Sequence, residues 1–290
     1  MDWMNRLDES LRYIERNLTG KIDYGELARI AYCSEYHYQR IFSYMVGVSL
    51  SEYIRRRRLS LAGVDLQQGD KVIDVAVKYG YESANSFTRA FKSLHGVTPS
   101  QAKKEGAILK TYPRIKFQIS IKGDVEMEYR IETKPAFRIV GAQMSLSKEI
   151  EANFKEVPDF WTQVSTDGRI QQIAALMNQE PQGMMGVSLG FATEEEEPQY
   201  FIAVASDQPV PQGLTEHLVE GYTWAIFSGS GPMPYAIQEL EKRMVTDWLP
   251  SSGYEYANGP DIELYLDSNP EDATFEVWMP VTKALHNEAE

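Results

Sequence analysis

The chain has 290 residues, 43% of them hydrophobic and 24% charged, with a formal net charge of −13. That length suits two domains with cores of their own, and no run approaches the roughly 20 apolar residues of a membrane span, so no membrane partner is expected. A single cysteine, Cys33, excludes an intramolecular disulfide and a cysteine-cluster zinc site and suits a reducing cytoplasm.

The charge is divided unevenly. Residues 1–110 hold 17 Lys+Arg and 13 Asp+Glu, a balance of +4, whereas the rest hold 12 and 29, a balance of −17. A basic binding module joined to an acidic one is expected, the acidic surface repelling DNA and attracting cations.

The opening MDWMNRLDESLRYIERN is an amphipathic, mixed-charge pattern rather than a signal peptide. Trp3, Leu7, Leu11, Ile14 and Leu18 recur at helical spacing, which predicts a helix over 3–18. Asp23 with Glu26 starts a helix over 24–31, and Ser34 caps one over 35–45 that Gly47 stops. Ser49 with Glu52 opens a longer helix over 50–67. Short helices follow at 72–79 and 84–94, the second capped by Ser83 and closed by Gly96, and Thr98-Pro99 opens a last one. The first hundred residues are therefore all helix, with two helix–turn–helix units.

After about residue 106 the period changes from 3.6 to 2. Ile115, Phe117, Ile119 and Ile121 alternate with polar residues, and the segments 126–132, 137–146, 184–191, 199–207, 214–231, 261–267 and 274–281 are further strand candidates. Stretches 148–166 and 232–249 read as helices, and Glu194–Glu197 as a solvated turn. The order strand, helix, strand, strand occurs twice, so this half is expected to be α+β, with an antiparallel sheet and pseudo-two-fold strand–helix–strand–strand repeats.

The two helix–turn–helix units are copies. From Arg40 to Arg89, Phe42 to Phe91 and Gly47 to Gly96 the offset is the same 49 positions. The apolar positions Tyr38, Ile41, Phe42 and Met45, matched by Phe87, Ala90, Phe91 and Leu94, are expected in the core. The opposite faces carry Tyr36, His37, Gln39, Arg40 and Ser43 in the first copy and Asn85, Ser86, Thr88, Arg89 and Lys92 in the second. Arg suits guanine edges in the major groove and Asn or Gln suits adenine, so double-stranded DNA is the expected partner. Between the units, Arg55, Arg56, Arg57 and Arg58 cover all sides of a helix. Some are expected to pair internally and one or two to reach phosphates. A bridging helix of about 18 residues is roughly 27 Å long, which holds two reading helices near the ~34 Å spacing of successive major grooves. Two readers with different faces predict an asymmetric binding site.

The stretches LARIAYCSEYHYQRIFSYMVGVSLSEYIRRRRLSLA and VIDVAVKYGYESANSFTRAFKSLHGVTPSQ resemble the AraC/XylS family of bacterial transcription regulators, in particular the subgroup with an N-terminal DNA-binding domain. The resemblance implies base contacts by Tyr36, Gln39 and Arg40, and by Ala84, Asn85, Ser86, Thr88 and Arg89. Tyr36 stands where the subgroup often has tryptophan. RNA polymerase is a candidate further partner.

MEYRIETKPAFRIVGAQMSLS, GYTWAIFSGSGP and DIELYLD…FEVWMPV resemble the GyrI-like effector-binding domain, which implies two pseudo-symmetric units around an apolar cleft. The expected domains are a DNA-binding domain at 1–107, a linker at 108–124 and an effector-binding domain at 125–285. Strand periodicity sets Glu263 and Tyr265 on one face of their strand and Glu276 and Trp278 on one face of the next. Carboxylates among aromatic rings suit an amphipathic cation. By the resemblance Glu263 is the acid, with Tyr222, Trp224, Phe160 and Trp161 as further candidates, and the partner is a small apolar or cationic effector. No nucleotide-binding glycine loop and no metal-ligand spacing among the four histidines appears, so no cofactor, metal or catalytic residue is expected. Two alternatives stay open for this half: a small-molecule hydrolase or scavenging module with Glu263 as general base, and a protein-interaction surface with no ligand.

Overall fold

Capping and periodicity place the helices of the first hundred residues where the sequence predicts them. The computed structural model describes residues 3–117, 126–147, 150–190, 197–267 and 269–283. Among the described residues seven helices precede the first strand: α1 Trp3–Arg16, α2 Tyr24–Ala31, α3 Glu35–Val46, α4 Leu50–Gln67, α5 Val72–Lys78, α6 Ala84–His95 and α7 Pro99–Ala102. Asp23 accepts from the Gly25 and Glu26 amides at the start of α2. Ser49, Ser83 and Thr98 cap α4, α6 and α7, the last in a reciprocal capping box with Gln101. Gly96 closes α6 in the left-handed conformation, φ 79°, which a side chain would strain.

The chain divides into two compact units, and the division does not follow the expected domain limits. One unit is Met1–Ala31 with Val46–Ser120, and the other is Tyr32–Met45 with Ile121–Glu290. Most of α3 thus belongs to the unit that contains the sheet. Among the described residues no helix is long and apolar enough to cross a membrane.

In the first unit Leu59, Leu66, Val75, Phe87 and Phe91 form a buried cluster with Tyr79, Leu94 and Ala102. The arginine run makes internal bonds. Arg55 and Arg56 both pair with Glu52, and Arg57 holds Glu15 through two bonds of 2.9 and 2.7 Å while donating to the Tyr112 carbonyl. Arg58 donates to the Leu18 and Gly20 carbonyls. The internal pairing expected of this run is present, and Arg55 and Arg56 stay partly exposed beside Glu52.

The sheet of the second unit has strands β1 Tyr129–Lys134, β2 Phe137–Ser145, β3 Met184–Leu189, β4 Gln199–Ala205, β5 Thr215–Val219, β6 Tyr222–Gly231, β7 Tyr254–Tyr256, β8 Asp261–Tyr265 and β9 Ala273–Lys283. Its helices are α8 Ile150–Thr166, α9 Arg169–Ala174 and α10 Tyr235–Arg243, the last running into a π-helical turn at Met244–Trp248. The order is β1-β6-β9-β8-β3-β4-β2-β5, with β7 on β9, and every pairing is antiparallel. The two repeats are legible in it. β2, α8, β3, β4 give the order β3-β4-β2, β6, α10, β8, β9 give β8-β9-β6, and the halves join at β3–β8. One face of the sheet buries itself: Trp224, Ile226, Ile262, Trp278, Val187 and Phe201 join a cluster made of strand residues alone. Helices α8 and α9 cover the other face over β2 and β4, through Phe160, Val164, Ile173, Ile202 and Val204. Ile115 and Phe117 lie in irregular chain rather than a strand, and Ile119, Ile121 and Glu194–Glu196 fall outside the described residues.

The Arg57–Glu15 pair is nearly enclosed, with side chains 11% and 14% exposed, whereas Arg55 at 40% is open to water. Removing one partner of an enclosed pair strands the other charge, and an exposed pair contributes little. In urea denaturation Arg57→Ala should cost about 3–5 kcal/mol and Arg55→Ala under about 1 kcal/mol. Equal losses would show that burial does not set their worth.

Candidate functional site

Strand β8 carries the chemistry. Its alternate residues Asp261, Glu263 and Tyr265 point to the helix-covered face. A cavity of about 680 Å³ lies above it, within the range of small-molecule sites. Trp161 and Val157 of α8, Ile170 of α9 and Ile237 and Glu241 of α10 form its walls, with Met184, Ser188 and Tyr200 from β3 and β4. Tyr36, Arg40 and Tyr44, on one side of α3, complete it.

Glu263 is half-buried at the cavity wall. Tyr265 donates to its Oε2 at 2.8 Å and Tyr200 at 3.3 Å, while the Trp161 indole N–H donates to the Tyr200 hydroxyl at 2.9 Å. No ion pair to Glu263 occurs among the described residues. Loss of water around it, with the charge of Glu241 nearby, pushes its pKa up to about 7 against the pull of the tyrosines and Arg40. Gly186 lies across from Glu263 in the ladder, and a Cβ there would collide with both the Tyr200 hydroxyl and the Glu263 carboxylate. Glycine at this position leaves the room in which the two groups meet.

At the other end of β8, α3 is anchored by charge. The Arg40 guanidinium donates to Asp261 at 2.7 Å and to Glu241. Tyr44 donates to Glu241 at 2.6 Å, His37 Nε2 lies 3.2 Å from Asp261, and Tyr256 donates to Asp261. The His37 ring packs against Tyr256 with centroids 4.4 Å apart. Tyr36 hydrogen-bonds Ser188, and burial pushes its hydroxyl up to about 12. The gap beside His37, Ile41, Met244 and Val277 has a volume of only about 20 Å³, far below that of the cavity.

Several expectations are corrected. Tyr36, His37, Gln39, Arg40 and Ser43 do not form an exposed face in this structure: His37 and Gln39 are buried, the others half-buried, because acids of the sheet unit attract the same face that DNA would. Glu276 and Trp278 do not join Glu263 and Tyr265. The register pairs Leu264 with Glu276 and Ile262 with Trp278, which turns them to the other face. Glu276 is held there by Arg130, and Lys134 sits over the Trp278 ring. Tyr222 and Trp224 belong to that face too, and Phe160 packs in the core rather than on the cavity. Of the ligand candidates, the structure brings together Glu263, Tyr265 and Trp161. Tyr44, Tyr200, Glu241 and Asp261 were missed. Asp261 was within reach, since it stands two residues before Glu263 and so shares its face.

The matching helix α6 divides into a buried apolar face and a polar one. On α6 Asn85, Arg89 and Lys92 are exposed and Ala84, Ser86 and Thr88 half-buried, while Phe87, Phe91 and Leu94 are buried.

The model of a helix–turn–helix domain family matches residues 27–105, and that of the Cass2 family, integron-associated effector binding protein, matches residues 130–281, just over half of the chain. The HTH-type transcriptional activator AarP of Providencia stuartii is 41% identical over 95 residues, which cover 32% of this chain and 70% of that protein. The right origin-binding protein of Escherichia coli (strain K12) is 26% identical over 284 residues, covering 94% of this chain and 93% of its own. Among solved structures, that of SAV2435 bound to tetraphenylphosphonium covers 56% of this chain and 98% of its own at 20% identity, with a TM-score of 0.49.

The state of Glu263 gives a pH dependence. The groups facing it are Tyr200, Tyr265, Glu241 and Arg40, and both tyrosines ionise well above their usual value of 10. Below about 7 the carboxyl is neutral and above it charged. A cationic dye in the cavity should bind more tightly as pH rises through that value, by up to roughly tenfold per unit on the acid side. The folded pKa lies above the model-compound 4.5, so the folded state keeps a proton the unfolded chain has lost. Without ligand, this group's contribution to stability therefore falls as pH rises from about 4.5 to 7. A flat dye-binding profile between about pH 6 and 8 would contradict the assignment.

Proposed function

The chain belongs to the AraC family of helix–turn–helix transcription regulators and carries a GyrI-like effector-binding domain, and from that premise we propose that it senses a small amphipathic cation in the β8 cavity. The observation that carries this reading is Glu263, a half-buried carboxylate with two tyrosine donors and no ion-pair partner among the described residues, at the wall of a cavity of about 680 Å³. Such a group is costly to charge until a cation arrives, and the Trp161, Tyr200 and Tyr265 rings supply flat contact and cation–π attraction for its body. We read the site as one for binding rather than turnover. Both hydroxyls beside Glu263 donate to it, and the relatives that this chain matches are named as transcription regulators.

DNA is read by the polar face of α6, with Arg89 as the guanine-seeking residue, while the matching Arg40 of α3 is held on Glu241 and Asp261. Arg89 is exposed and its removal leaves the α6 core untouched. Arg89→Ala should weaken specific DNA binding by about 1–3 kcal/mol in a salt-controlled mobility-shift assay. Unchanged affinity would take the reading role from α6. For the cavity, the fluorescent aromatic diamidine DAPI serves as probe, and its binding is followed by fluorescence titration without DNA. Glu263→Gln, nearly the same in shape, should weaken DAPI binding about tenfold or more, in line with the loss of one charged hydrogen-bond partner of roughly 1.5–3 kcal/mol. Equal affinity of the two proteins would sink the cation reading.

A further inference from the structure

Arg40 presents a delocalised planar cation to two carboxylates of the sheet unit, Glu241 and Asp261, and does so from a helix whose sequence is that of a DNA reader. We propose that α3 is docked as the closing wall of the effector cleft, and that a cationic effector acts by taking over the carboxylates that hold Arg40, which frees the polar face of α3 for DNA. The proposal rests on the cation reading of the cavity given above and names how that site is regulated.

Three observations carry it. First, the wall and the anchor are the same side chains: Tyr36, Arg40 and Tyr44, at spacing i, i+4, i+8, line the cavity and bond Ser188, Glu241 and Asp261. A ligand that fills the cavity touches the helix that closes it. Second, the two functions of Arg40 exclude each other. A guanidinium forked onto Glu241 and Asp261 cannot fork onto a guanine edge. Third, charge makes the ligand discriminate between the two states. With α3 docked, a cation beside Glu263 meets the positive Arg40 and gains one carboxylate. With α3 withdrawn, Glu241 and Asp261 lose their counter-ion and add to the attraction. A ligand shifts an equilibrium by its differential affinity for the two states, and here that difference is the charge of one arginine and its two partners. The effector class that follows is an aromatic body with a cationic head able to bridge two carboxylates, as an amidine or guanidine does.

The docked helix also lowers apparent ligand affinity, because only the undocked fraction binds fully. Truncating Arg40 should then raise affinity, the opposite of what removal of an ordinary wall residue does. Cys33 reports on the helix. It is the only cysteine in the chain, lies just before α3 in the same docked segment, and is buried, with its thiol pushed up to about 12. The test uses the full chain, DAPI as ligand and DTNB as thiol reagent. We expect saturating DAPI to speed Cys33 modification at least about tenfold, and Arg40→Met to bind DAPI about tenfold more tightly than the unaltered chain. Glu241→Gln removes one anchor without stranding a charge and needs no ligand, so it decides the docking even where Arg40→Met does not fold. Its Cys33 should react faster in the absence of DAPI. Unchanged Cys33 rates in Glu241→Gln, or DAPI that binds tightly and depends on Glu263 yet leaves Cys33 protected, would overturn the docking switch and leave the ligand reading standing. DAPI affinity that is indifferent to Glu263→Gln overturns the ligand reading, and Glu241→Gln still judges the docking.

Discussion

The Arg40 guanidinium between Glu241 and Asp261 is the interaction on which the arrangement of this chain turns. Glu241 and Asp261 are both buried, at 5% and 7% exposure. An acid that deep needs a partner, or the cost of stripping its water goes unanswered. The partner comes from about 200 residues away in the sequence, and it brings a helix with it. Tyr44 and His37 then bond the same two acids, and Tyr36 reaches Ser188, so these polar bonds join α3 to the sheet unit.

The fold puts that cluster and the cavity in register with each other. The pseudo-two-fold repeats join at β3–β8, and β8 is short. Side chains two apart on one strand face are about 7 Å from each other. Asp261, Glu263 and Tyr265 are therefore successive points on one line, the first bound to α3 and the next two open to the cavity. No relay of moving parts is required between them, because the Glu241 and Arg40 charges already act on Glu263 across the cleft. Gly186 across the ladder keeps the line clear by having no side chain.

The helices were legible in the sequence because their ends carry chemistry: Ser49, Ser83 and Thr98 each bond an amide three residues on. The strands were legible from their alternation, and the repeat from the order of elements. What alternation could not supply is register. It places Glu263 with Tyr265, and Glu276 with Trp278, but only the pairing of Leu264 with Glu276 decides that the two sets face apart. Trp224 and Trp278 looked like ligand contacts since aromatic residues serve cores and sites alike, and here they close the strand-only core. The polar face of α3 was read correctly as polar, and its partner was not fixed by that. A row of Tyr, His, Gln and Arg complements a base edge and an acidic cleft equally. The charge split of the chain did hold the hint, because an acidic half that attracts foreign cations attracts the chain's own arginine as well.

The two copies of the helix–turn–helix unit thus differ in availability as well as in surface. Asn85, Arg89 and Lys92 stand exposed on α6, whereas α3 spends its arginine on protein carboxylates. On the proposed reading, a chain in this state meets DNA with one reader. Releasing the second adds contacts that are intramolecular once the first has bound, and a linked second site multiplies affinity through effective concentration rather than through a stronger single contact. Duplication followed by divergence of the polar faces then does more than lengthen the sequence that is read. On the docking proposal it leaves one copy to hold the DNA and lets the other answer to a ligand, and what distinguishes the two is not the arginine they share but the Glu241 and Asp261 carboxylates beside Arg40.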